Sequence, residues 1–72
     1  MSNDKAAFQR VLGMNLTRYR MAKDLSQQQV ATRARIHIST YQRIENSQAS
    51  TNAMVLRNLA DALGTSLDAL VV

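Results

Sequence analysis

The sequence predicts a compact all-α domain of five helices. Apolar residues recur at three- and four-residue spacings along most of the chain. Residues able to cap a helix stand before each of these runs. The central stretch from Leu25 to Ser47 reads as two short helices joined by a tight turn.

Residues 1–5 are expected to be a disordered N-terminus, with Asn3 or Asp4 available to cap a long first helix that ends near Lys23. Phe8, Leu12, Leu16 and Tyr19 make its buried stripe. Gly13 within it costs about 1 kcal/mol relative to alanine, so this helix depends on packing.

Ser26 caps the second helix, Gln27, Gln28 and Gln29 fill its first turn, and Val30, Ala31 and Ala34 fall on one face. Ile36 anchors the turn, and His37 precedes a third helix in which Ile38, Tyr41 and Ile44 recur every third residue. Between them Ser39, Thr40, Gln42 and Arg43 offer hydroxyl, amide and guanidinium groups, with no carboxylate until Glu45. A helix placed in the DNA major groove needs this division: one side held by apolar packing, the other presenting short or forked hydrogen-bonding groups to base edges. Ala31 must be small, because two helices crossing steeply over so short a turn bring their backbones close.

The polar run SQASTN that follows is a loop, and Asn52 or Thr51 caps a fourth helix with Ala53, Leu56, Leu59, Ala60 and Leu63 as its core face. Met54 and Val55 are expected to be partly exposed, and Gly64 ends the helix. Ser66 caps a short fifth helix whose Leu67 and Leu70 close the core. The apolar end Leu70, Val71, Val72 is explained by a dimer contact or by a second domain beyond Val72. Residues 6–72 thus form one domain, with the helix pair at about 26–46.

At 72 residues only about 60% of the unfolded surface can be buried. The chain has no cysteine and a single histidine, which exclude a disulfide framework and a cysteine-based zinc site. No metal or other cofactor is expected. No stretch approaches the roughly 20 apolar residues of a membrane span, and the start MSNDKAAFQR is not a signal peptide, so a cytoplasmic location is expected and a membrane partner is not. Nine Lys or Arg against five Asp or Glu give +4, which favours a polyanion as partner. Arg33, Arg35 and Arg43 cluster within the helix pair, whereas after Arg57 the only charges are Asp61 and Asp68.

Leu25, Ser26, Gln27, Val30, Ala31, Ala34, Ile36, Ile44, Glu45 and Asn46, followed by Leu59, Ala60, Ala62, Leu63, Gly64, Ser66, Leu67 and Leu70, resemble the helix-turn-helix domains of the lambda repressor and Cro (Cro/C1) type. The resemblance covers Leu12 to Leu70 and implies a lambda-repressor-like fold with the helix-turn-helix as its second and third helices. In that family the first helix starts near Leu12, so the turns from Ala6 to Val11 are an extension or a contact for a second copy, with Phe8 the residue to watch. The resemblance also implies that Arg20 pairs with Glu45, clamping the first helix to the end of the third. Relatives commonly carry glycine at the positions of Asp24, Arg35 and Ser47, where a helix ends on a left-handed residue. Either Arg35 takes that conformation at about 1 kcal/mol of strain, or the turn is of another kind; mild strain is the expectation.

The same resemblance turns His37, Ile38, Ser39, Gln42 and Arg43 toward double-stranded DNA. Arg43 is the best candidate for reading a base, since a guanidinium can bond guanine O6 and N7 together. Ile38 touches a thymine methyl or packs against Gln27; His37 contacts DNA or caps the third helix. Gln27 aims backbone amides at a phosphate, Arg35 adds a cation beside the DNA, and Asn46, Ser47, Gln48 and Asn52 meet phosphates across the groove. Tyr41 belongs to the core, and Met14, Met21 and Met54 to packing or surface.

The function expected is a sequence-specific transcription regulator, a repressor that binds a palindromic operator as a homodimer. The competing class is a protein-interaction module, such as an antitoxin or adaptor subunit, with its partner on the apolar C-terminus or Phe8. An enzyme is not expected: the chain has no carboxylate pair, metal cluster or Ser-His-Asp grouping.

Overall fold

Residues 4–72 are described by a computed structural model, in which five helices follow one another: α1 (Asp4–Ala22), α2 (Gln27–Ala34), α3 (Ile38–Glu45), α4 (Ala53–Leu63) and α5 (Leu67–Val71). Asn3, and with it most of the stretch expected to be disordered, lies outside the described residues; Asp4 and Lys5 are helical.

Short helices need satisfied ends, because each leaves four amides without an internal partner. Ser26 accepts the Gln29 amide while the Gln29 side chain accepts the Ser26 amide, a reciprocal capping box at the start of α2. Asn52, and not Thr51, caps α4 through the Val55 amide at 2.8 Å, and Ser66 caps α5 through Ala69 at 3.1 Å.

The core takes Leu12 and Leu16 from α1, Val30, Ala31 and Ala34 from α2, Tyr41 and Ile44 from α3, Leu56, Leu59, Ala60 and Leu63 from α4, and Leu70 from α5. Helix α2 packs on α3 and α4, while α1 packs on α3 and α5. Three expected core residues lie elsewhere. Phe8 is 36% exposed, because the first turns of α1 run past the core, which begins at Leu12. Ala53 and Leu67 are exposed; each is the first residue of its helix, and the core is met only about a turn later, at Leu56 and Leu70. Tyr19 is half-buried against the core, and Met14, Met21 and Met54 are surface residues.

Asp24, Arg35 and Ser47 all have left-handed backbones, with φ of 56°, 62° and 62°. Arg35 is the cap of α2: its amide bonds the carbonyls of Ala31 and Thr32, and Ile36 N bonds Ala31 O at 3.0 Å. The turn is therefore the left-handed kind, held by an arginine at a steric cost. Gly13 has the opposite logic. A Cβ there would stand 2.5 Å from the Glu45 carbonyl oxygen, so the missing side chain is what lets α1 cross the end of α3.

Two substitutions test these backbone constraints. Gly13→Ala gains about 1 kcal/mol of helix propensity but forces two backbones apart, and overpacking of this kind costs about 1–3 kcal/mol, so the melting temperature is expected to fall. Arg35→Gly removes about 1–2 kcal/mol of left-handed strain against about 0.5–1 kcal/mol of added chain freedom, so the melting temperature should rise by a few degrees. Thermal unfolding followed by circular dichroism tests both; a rise for the first or a fall for the second contradicts the geometry.

Candidate nucleic-acid interface

The side chain that fixes α3 is Glu45, in its last turn and nearly buried. Arg20, in the last turn of α1, holds it with a two-pronged contact, Nε to Oε2 at 2.9 Å and Nη2 to Oε1 at 3.0 Å. The third prong of the arginine, Nη1, donates to the Leu25 carbonyl at 3.0 Å, tying the α1–α2 loop into the same arrangement. Gln27 Nε2 donates to Glu45 Oε1 at 3.0 Å from the start of α2, and the Tyr41 hydroxyl donates to Oε2 from within α3. Four donors thus fill the acceptor sites of one carboxylate.

Burial alone would push the Glu45 carboxyl up, but the hydrogen bonds from Arg20, Tyr41 and Gln27, with the arginine charge, outweigh it and hold the group below its ordinary value of 4.5. The Arg20 guanidinium is raised, chiefly by its bonds to Glu45. Burial, and then the neighbouring carboxylate, raises the Tyr41 hydroxyl, which stays a donor.

With Tyr41 and Ile44 fully inside, the outer face of α3 is set: Ser39, Thr40, Gln42 and Arg43 are exposed, and Ile38 is half-buried against the core. At the head of this face His37 acts as the cap. Its Nδ1 accepts the Ser39 amide at 3.1 Å and lies 2.8 Å from the Ser39 hydroxyl. The Ser39 amide can donate only to a lone pair on Nδ1, so in this arrangement a neutral ring carries its proton on Nε2. Gln42 Nε2 donates to Gln27 Oε1 at 3.3 Å. Asn46, Gln48 and Asn52 are exposed and Ser47 is half-buried, while Asn52 has spent its side-chain oxygen on its cap.

The cations divide differently from their order in the sequence. Arg33 and Arg35 line a cavity of about 560 Å³ with Arg57 of α4, together with Met54, Asn58 and Asp61, whereas Arg43 lies on α3. Arg57 was the residue missed: it is distant in sequence from the other two, and only the packing of α4 on α2 joins them. Among the described residues no group of three or more His, Cys, Asp or Glu could hold a metal ion, and no helix is long and apolar enough to cross a membrane.

Because the folded carboxyl of Glu45 is depressed, its contribution is full above the unfolded value near 4.5 and is lost as pH falls through the lower folded value. Stability should therefore hold from neutral pH to about 4.5 and then decline, and Arg20→Ala should cost about 3–5 kcal/mol at neutral pH. Such a loss is a large part of the roughly 4–11 kcal/mol expected for a domain of this size. Urea unfolding between pH 3 and 7 checks this; an Arg20→Ala domain as stable as the parent would contradict it.

No curated protein and no solved structure matches the chain. The model of a family described as a helix-turn-helix domain matches residues 11–71, which span all but the first turns of α1 and include the α2–turn–α3 unit. On that match, the chain belongs to the helix-turn-helix domain family.

Proposed function

We propose that this domain is a sequence-specific DNA-binding transcription regulator, a repressor that binds a palindromic operator as a homodimer in the cytoplasm. The observation that carries the reading is the split of α3, with Tyr41 and Ile44 at 0% and 1% exposure and Ser39, Gln42 and Arg43 open on the other side. A helix gripped so firmly from behind can enter the major groove as a rigid body. One domain reads only a few base pairs, so two copies about one helical turn apart, roughly 34 Å, are needed for useful affinity.

Arg43 reads a base, most favourably guanine. The Ser39 hydroxyl oxygen, 2.8 Å from His37 Nδ1, offers toward DNA a lone pair that suits a base amino group. His37 reaches a phosphate through its Nε2–H. Ile38, half-buried, has one flank left for a thymine methyl. The α2 amides around Gln27 and the side chains of Arg35, Asn46, Ser47, Gln48 and Asn52 meet phosphates, with Arg33 and Arg57 enlarging the cationic margin beside Arg35.

Selection of bound duplexes from a random pool at two salt concentrations tests the reading. A palindromic consensus with a steep salt dependence is expected. Arg43→Ala should relax one base position per half-site, at about 1–3 kcal/mol, whereas Arg35→Ala should weaken all sequences alike and reduce the salt slope by about one. An unchanged consensus for Arg43→Ala removes its assignment; no consensus for the parent domain removes the function.

A further inference from the structure

The hydrogen bonds behind α3 do more than hold it. Glu45 Oε1 accepts from Gln27 Nε2 at 3.0 Å, and Gln27 Oε1 accepts from Gln42 Nε2 at 3.3 Å. A glutamine amide has two ends of nearly the same shape, and only its partners decide which way round it sits. Here the decision begins at an ionised carboxylate, which can accept but never donate. Gln27 must therefore show it the NH₂ end, which turns the Gln27 oxygen toward Gln42. That oxygen also only accepts, so Gln42 must turn its own NH₂ end toward Gln27. Two otherwise ambiguous amides are thus set in series by one buried charge.

The consequence falls on the exposed member. Gln42 lies on the open face of α3 next to Arg43, with one N–H committed to Gln27 and, among the described residues, with its second N–H and its oxygen uncommitted. A donor beside an acceptor complements the major-groove edge of adenine, where N7 accepts and the N6 amino group donates. Guanine shows two acceptors there, N7 and O6, and would meet the Gln42 oxygen with like polarity. We propose that Gln42 is a specificity-determining residue that selects adenine, and that Gln27 is the positioning residue that fixes the polarity of its amide. This rests on α3 being the helix that enters the major groove.

The roles separate by substitution. Gln42→Ala changes an exposed residue and leaves the buried carboxylate untouched. Gln27→Met keeps the bulk of the side chain, leaves Glu45 held by Arg20 and Tyr41, and frees Gln42 to turn over. Random-pool selection with the parent domain should give adenine at one position of each half-site, favoured over guanine about tenfold or more. In Gln42→Ala that preference should disappear while the position read by Arg43 keeps its base. In Gln27→Met it should fall severalfold with the rest of the consensus intact, whereas a purely structural loss would weaken every position equally.

Circular dichroism confirms that both variants are folded before selection. An adenine preference undiminished in Gln42→Ala, or undiminished in folded Gln27→Met, overturns the proposal and leaves the DNA-binding reading standing. A parent domain that selects no sequence overturns both.

Discussion

A single buried anion organises this domain. The Glu45 carboxylate would be costly to place inside so small a protein, and it is tolerable only because Arg20, Tyr41 and Gln27 supply four donors in good geometry. An ion pair of this kind adds little net stability over an apolar replacement, yet leaving one partner alone is expensive. Its effect is therefore on arrangement: α1, the following loop, α2 and α3 are all bonded to the same few atoms, and α3 has one seat. Gly13 completes the seat by letting α1 approach the Glu45 backbone as well as its side chain.

Two further features follow from that rigidity. The outer face of α3 can spend its polar groups on an external partner, because none of them is needed to hold the helix except the His37–Ser39 cap and the Gln42–Gln27 contact. The turn before it keeps an arginine in a conformation that glycine would adopt without strain, and that arginine stands with Arg33 and Arg57 around one cavity. Glycine at position 35 would relieve that strain but would take one of the three arginines from the cavity.

The sequence already showed much of this. The three-residue recurrence of Ile38, Tyr41 and Ile44 was enough to divide α3 into its two faces, because a helix with so regular an apolar stripe has one way to pack. The caps at Ser26 and Ser66 were legible because short side chains act locally, whereas the α4 cap was narrowed only to Asn52 or Thr51. Ala53 and Leu67 were misplaced for a related reason: periodicity says which face a residue shares, but not whether the core reaches as far as the first residue of its helix. Gly13 appeared only as a propensity cost, since its purpose is a backbone 32 positions away. The grouping of Arg57 with Arg33 and Arg35, and the run of amides from Glu45 to Gln42, depend on how separate helices pack, and no local pattern encodes that.

Nuclear magnetic resonance mapping of the isotopically labelled domain, titrated with the duplex it selects, tests the central claim most directly. The account predicts that the largest amide shifts fall on Gln27–Gln29 and on His37–Arg43, while the buried ends of the network at Arg20 and Glu45 move little. Shifts concentrated on the first turns of α1 or on α5, with the outer face of α3 silent, would contradict it.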